Sequence, residues 1–333
     1  MQSRYLVITS ISSQNNPVLQ QFALESVKHN TSFIVMGDTK SPKDFQLENC
    51  DFYSIEKQLS TGFEIASLLP QKHYSRKNIG YLIAMSKGCE CIIETDDDNF
   101  PFPAFWENRS RATNAYVLEE KGWVNIYKYF TKENIWPRGF SLDNLKGTLP
   151  PAEVMTGINS PIHQGLADQN PDVDAIYRLI NHLPLVFLKH EPIATGKNTW
   201  CPFNSQNTTW FREAFTLMYL PSFCSFRMTD IWRSFIAQRI AWTCDWQVIF
   251  HNATVYQERN EHSLIVDFRD EIPGYLNNGK ICQVLENAYL KTGVENIPEN
   301  LFYCYKLMVD NNFVDKRELE LVEKWILDCK KYI

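Results

Sequence analysis

The chain has 333 residues, 44% hydrophobic and 14% aromatic, enough to bury a sizeable core in one or two domains. Charged residues make up 22% and the net charge is −6, which argues against disorder and against a broadly basic nucleic-acid surface. No run approaches the ~18 apolar residues of a membrane span, and the opening MQSRYLVITS lacks the apolar core and cleavage site of a secretory signal. The nine cysteines include no CxxC pair. They read as reduced, mostly buried thiols, so a cytoplasmic location is expected, with peripheral membrane association left open.

RYLVITSI (Arg4–Ile11) reads as a buried strand. Asn16 and Pro17 then open a helix over PVLQQFALESVKH. SFIVMGD and DFYSI are short strands, and a helix is expected through EIASLLP. RKNIGYLIAMSKG (Arg76–Gly88) is a helix closed by Gly88. CECIIET is the next strand, and it ends in three adjacent aspartates, Asp96 to Asp98. Beyond Phe130, Pro, Asn, Trp and Gly become frequent and loops lengthen. PDVDAIYRLI starts a helix with Asp172 or Asp174 at its positive end. LPLVFL and WQVIFHNATVYQ are strands. Between them TDIWRSFIAQRIAW (Thr229–Trp242) is an amphipathic helix that Thr229 or Asp230 can cap. The last fifty or so residues are two or three helices.

This alternation predicts an α/β fold with a mostly parallel, Rossmann-like sheet flanked by helices, plus a helical C-terminal region. Ligands of such sheets bind beyond the carboxyl ends of the strands. Three polar ends converge there: Thr9-Ser10, Gly37 to Lys40, and Asp96 to Asp98. Three neighbouring carboxylates repel one another, and a hard divalent cation relieves that repulsion. Asp96 and Asp98, one residue apart, can turn toward one Mn2+ or Mg2+ that also holds a diphosphate, the DxD arrangement of nucleotide-sugar glycosyltransferases. A calcium EF-hand is excluded, because the glycine and the closing glutamate are missing. A solvated acidic turn is the plainer alternative.

The segments GDTKSP, RKNIGYLIAMSKG, ETDDDN, NIYKYF…IWPRGFSL, QGLADQNPDVDAIYRL, PFNSQNT and FRMTDIWRSFIAQR resemble, in that order, the STELLO-type glycosyltransferases. The strand-DDD unit is more distantly similar to the reversibly glycosylated polypeptides, which are UDP-sugar mutases. The resemblance implies a GT-A fold. Residues 1–135 would form the nucleotide-sugar half, 136–265 the acceptor half of the same domain, and 266–333 a helical region. It does not imply an acceptor. The membrane anchor of the plant STELLO proteins is not read in this sequence, so their Golgi location is not carried over.

Carried onto this chain, the nucleotide and metal site would comprise Asp38, Arg76, Lys77 and Asp96 to Asp98, beside Thr9, Ser10 and Lys40 at the converging strand ends. Asn204 and Gln206, in FNSQNT, suit sugar hydroxyls because amides both donate and accept. Arg138 could pair a phosphate from a Trp-Pro-Arg lid. An inverting enzyme needs a carboxylate base. Asp230 is the first candidate, with an N-cap role competing, and Asp174 (with Asp172) is the second. His262 is the favoured histidine for a further metal ligand, ahead of His251. The expected activity is metal-dependent transfer from a nucleoside-diphosphate sugar, UDP-linked, to a glycan or other hydroxyl acceptor. A nucleotide-sugar mutase or self-glycosylating protein, and a non-catalytic binding or assembly protein of the same fold, are the alternatives.

Overall fold

The computed structural model describes residues 3–259 and 263–333. Strand β1 (Arg4–Thr9) is rich in β-branched residues, and its central Leu6, Val7 and Ile8 are fully buried. Helix α1 (Pro17–Lys28) starts as the sequence predicts. Pro17 takes the first position, and the Asn16 side chain accepts the Leu19 N–H at 3.0 Å. Strands β2 (Thr31–Met36) and β3 (Asp51–Tyr53) follow. Helix α2 (Ile55–Leu59) lies upstream of EIASLLP, which forms turns instead of the expected helix. A 3-10 turn over Tyr74–Arg76 leads into α3 (Lys77–Ser86), and Gly88, at φ +73°, ends it before β4 (Cys91–Thr95).

These four strands are parallel, in the order β3-β2-β1-β4. Thr9 lies opposite Met36, Met36 opposite Tyr53, and Val7 opposite Glu94, so all four carboxyl ends reach one edge. Helix α3 lies close on this sheet. A Cβ at Gly80 would fall 2.6 Å from Val7 Cγ1 and 2.9 Å from Met36 Cγ.

The chain then supplies β5 (Asn99–Pro101), β6 (Ala112–Leu118), β7 (Gly122–Trp123), β8 (Met155–Asn159), β9 (Ile162–Asp168), α4 (Ala175–Ile180), β10 (Ile193–Thr195), β11 (Thr199–Trp200), β12 (Asn207–Phe211), α5 (Thr229–Ala241) and β13 (Val248–Gln257). LPLVFL contributes a single bridge, Leu185 to Gln169, rather than a strand. The sheet continues unbroken from β4 as β12-β9-β13-β10-β6-β8, with β5 on β13, while β7 and β11 form a separate two-stranded ribbon. Strand β12 runs antiparallel to both β4 and β9, whereas β9 with β13 and β6 with β10 are parallel. The result is an α/β fold whose sheet is parallel in its first half and mixed in its second.

Helix α6 (Leu264–Glu286), α7 (Ile297–Asp310) and α8 (Glu318–Cys329) close the C-terminal side. They explain a departure in α5. Its apolar face is buried as expected, but so is every other residue except Arg239, because α6 and α7 pack where solvent was expected. Neither Thr229 nor Asp230 caps it; the cap is Met228, without a side-chain bond. The buried charges of α5 are paired instead. Arg233 pairs with Glu94 of β4 at 2.8 Å, and Trp210 Nε1 donates to the same carboxylate at 2.8 Å. A buried pair of this kind is costly to break from one side. It fixes α5 to the strand that ends in the aspartates.

Candidate functional site

Each aspartate of the triplet is held by a different element. Lys77 Nζ, fully buried at the start of α3, donates to Thr95 O at 2.9 Å and to Asp96 Oδ1 at 3.2 Å. Lys77 therefore secures the strand end instead of facing a nucleotide. Asp97 accepts from the Ser10 and Ser12 hydroxyls, and Asn16 Nδ2 donates to its backbone oxygen at 3.1 Å. Gln257 Nε2, at the end of β13, donates to Asp98 Oδ1 at 3.0 Å. Burial pushes the Asp96 carboxyl up to about 7; Lys77 opposes this, and the charges of Asp98 and Asp230 add to it. Its side chain nonetheless remains 39% exposed. Hard oxygen donors with an excess of negative charge fit a divalent cation. Among the described residues, no three His, Cys, Asp or Glu side chains form a metal-holding group. His262 lies outside the described residues. His251, on β13, lines neither cavity described below; its Nδ1 sits 3.0 Å from Asn252 O.

Two cavities meet at this edge. The first, about 270 Å³, lies over the ends of β1 and β2, and Thr9, Ser10, Asp38, Lys40 and Arg76 all line it. Asp38 accepts the Thr39 and His73 N–H groups at 2.6 and 3.1 Å. Arg76 is 2% exposed and donates to Gln58 Oε1 and Leu69 O, yet its Nη2 has no hydrogen-bond partner. The aromatic wall was not anticipated. His73 stacks on Tyr74 at 5.6 Å between centroids, and Phe226 meets Tyr74 edge-on at 4.9 Å. Burial lowers the His73 pKa to about 4 against the pull of Asp38, so this wall is neutral.

The second cavity, about 390 Å³, shares Thr9, Ile11, Tyr74, Asp97 and Phe226 with the first and adds Asp96 and Asp98. Its floor is a clamp. Arg138 donates to both oxygens of Asp172 at 2.8 Å and to both oxygens of Asp230 at 3.0 Å. Arg138 is therefore committed to two carboxylates and is not a free phosphate ligand in a lid. Asp230 also accepts the Ser205 N–H at 3.0 Å and the Tyr74 hydroxyl at 3.3 Å. Burial alone would raise its pKa, but the charge and hydrogen bonds of Arg138, the charge of Arg233 and the Ser205 N–H bring it below the ordinary carboxylate range.

Asp174 has no exposed surface. It caps α4 by accepting the Tyr177 N–H at 2.7 Å, and it also accepts Trp136 Nε1 at 2.7 Å. It is placed as a structural group and cannot meet a substrate in this arrangement. Gln206 lines the second cavity, whereas Asn204 turns inward, its Oδ1 accepting the Gln206 N–H. The cavity also takes Arg178, Arg227, Gln257 and Arg259, which the sequence did not single out. They come from three separate segments, so no local pattern announced them.

The α/β sheet therefore carries an acidic strand end between two adjoining cavities. Residues 227–332 match the family described as "STELLO glycosyltransferases". The chain is 26% identical over 317 residues to "Probable glycosyltransferase STELLO2" of Arabidopsis thaliana, and 25% identical over 318 residues to "Probable glycosyltransferase STELLO1". Each match covers 89% of this chain, but the chain spans only 41% and 40% of those relatives. The resemblance to STELLO-type glycosyltransferases read from the sequence thus holds. Two solved structures overlay with TM-scores of 0.44 and 0.38, at 11% and 13% identity. One is described as "Crystal Structure of a Mycobacterial Protein", the other as M. tuberculosis glucosyl-3-phosphoglycerate synthase. Each covers 83% of this chain, and 74% and 80% of those chains respectively. No helix among the described residues is long and apolar enough to cross a membrane.

Proposed function

We propose that this chain transfers a sugar from a nucleoside-diphosphate sugar, UDP-linked, to a hydroxyl acceptor, with Mn2+ or Mg2+ held at Asp96 and Asp98. The observation that carries this reading is the continuity of the two cavities: the nucleoside-sized one opens directly onto the aspartate triplet. In the reaction, the acceptor oxygen bonds to the sugar's anomeric carbon. The bond from that carbon to phosphate breaks, its electron pair leaves with the nucleoside diphosphate, and the hydroxyl proton is lost. A divalent cation would supply Lewis-acid stabilisation of the charge developing on the leaving diphosphate. The protein's part is positional. Lys77 and Ser10 fix Asp96 and Asp97, the Arg76 side chain places positive charge at the wall of the nucleotide cavity, and Gln257 orients Asp98.

The clamp also bears on stereochemistry. Asp172 and Asp230, the carboxylates of the acceptor half that line the cavity, are both bound to Arg138. Asp230, held below its ordinary pKa and bonded through both oxygens, has little drive to take a proton. This favours transfer with retention of configuration, in which the leaving phosphate oxygen takes the proton and Asp230 serves as a positioning residue.

The test is a thermal-shift panel of UDP, GDP and CMP with and without Mn2+, followed by proton NMR of the sugar released or transferred from the donor that binds. A nucleotide at 100 times its dissociation constant should add about 2.7 kcal/mol of stability. If no nucleotide shifts melting with metal present, the transferase reading fails. An inverted anomer would restore Asp230 as the base.

A further inference from the structure

Arginines from three separate segments converge on the wall of the second cavity: Arg178 on α4, Arg227 in the 3-10 turn over Phe226–Met228, and Arg259 just past β13. Two of them have carboxylate partners. Arg227 meets Glu271 at 2.9 Å, and Arg259 meets Asp267 at 2.5 Å. Glu271 is shared further, accepting the Ala175 N–H at 2.7 Å and the Tyr275 hydroxyl at 2.6 Å. Arg178 is different. Among the described residues it pairs with no carboxylate; Nη1 and Nη2 reach only Asn170 Oδ1 at 3.4 Å and Pro171 O at 2.9 Å. Its Nε is buried and has no partner. A guanidinium left partly unpaired beside two others is an electrostatic cost unless an anion arrives. Burial brings the Arg178 pKa down to about 9, Arg259 and Arg227 push the same way, and Asp172 and Asp267 oppose them.

We propose that Arg178, with the positive charge of Arg227 and Arg259 lining the same cavity, binds a phosphate carried by the acceptor, so that the substrate on this side is a phosphorylated hydroxyl compound and not a neutral glycan. The inference rests on the transferase reading, because it assigns the acceptor end of the same cavity. The placement supports it. The nucleotide cavity lies over β1 and β2, and none of the three arginines lines it. They line the second cavity together with the triplet, and a planar guanidinium fork can grip two phosphate oxygens at once. Helix α4 also carries Leu179 and Ile180, 46% and 69% exposed, beside Arg178. A phosphate borne by a lipid is therefore tested alongside a free one.

The experiment is calorimetry on the whole chain, titrating inorganic phosphate, glycerol 3-phosphate and glycerol, each with and without saturating UDP and Mg2+. The expected result is binding of the two phosphates but not glycerol, retained when UDP is present. Arg178→Gln should weaken glycerol 3-phosphate about tenfold to a hundredfold without the same loss for UDP. Arg178→Lys, which keeps the charge but not the fork, should fall between, and melting curves of both variants establish that they fold. Sedimentation with phosphatidylcholine vesicles, with or without phosphatidic acid, separates a lipid-borne phosphate from a free one; binding in either arm supports the shared chemistry. The proposal is overturned if wild type binds glycerol 3-phosphate no better than glycerol. It is also overturned if UDP displaces the phosphate, or if Arg178→Gln costs UDP as much, since the arginines would then serve the donor. Failure of the transferase reading registers separately, as UDP and Mg2+ that do not bind at all.

Discussion

Removing the charge of Asp230 leaves Arg138 with one carboxylate where it had two, in a setting where Arg138 is 6% exposed. Asp230→Asn is expected to cost roughly 2–3 kcal/mol, less than a fully orphaned buried ion because Asp172 stays bound. Urea unfolding measures it, and an unchanged midpoint would mean that the clamp contributes nothing. Asp174 gives a pH signature of its own. Its folded pKa is raised to about 6 by burial, against Tyr177 and Trp136, from an ordinary value of 3.8. A carboxyl raised in this way favours the native state fully below the lower value and loses that contribution as pH rises through the upper one. Wild type should therefore lose stability relative to Asp174→Asn between pH 4 and 6, by about 1.4 kcal/mol per pH unit. Parallel pH profiles of the two proteins would contradict this. The triplet was legible because three adjacent acids after a buried strand leave few explanations. The roles of Asp230, Asp174 and Arg138 were not, because a carboxylate's chemistry depends on partners distant in the chain: Asp230 is 92 residues from Arg138.

At the scale of elements, the approach of α3 to the sheet sets where Lys77 and Arg76 stand. Gly80→Ala would gain about 1 kcal/mol of helix propensity, but its Cβ would strike Val7 and Met36. Overpacking of this kind typically costs 1–3 kcal/mol, so the expected net effect is a loss of about 1 kcal/mol. A stabilised variant would show that the helix can shift without strain. The first four strands and α3 were readable because buried runs and a closing glycine are local signals. The all-round burial of α5 was not, since it depends on α6 and α7, which arrive later in the chain. EIASLLP has helical composition, yet it forms turns. Asp328 of α8 accepts the Ile65 N–H at 3.1 Å, a contact no local pattern contains.

Across the whole molecule, one sheet edge gathers the ends of β1, β2 and β4 against the start of α5, and the aspartates lie where the two cavities join. The account therefore predicts that nucleotide affinity depends on a divalent ion, and that Asp96→Asn and Asp98→Asn abolish the dependence while retaining the fold. Calorimetry of UDP with and without Mn2+ checks it; equal metal dependence in the variants and wild type would move the ion elsewhere. That polar groups gather at this edge could be read from the strand-helix alternation and the polar strand ends. The arginine wall could not, because its members come together only when α4, the turn before α5 and the end of β13 pack. The most direct measurement is anomalous diffraction from a crystal soaked with Mn2+ and UDP. The account predicts a manganese peak between the Asp96 and Asp98 carboxylates, with the diphosphate beside it and the uridine over β1 and β2. A bound nucleotide with no metal at the triplet, or a manganese peak away from those two side chains, would contradict it.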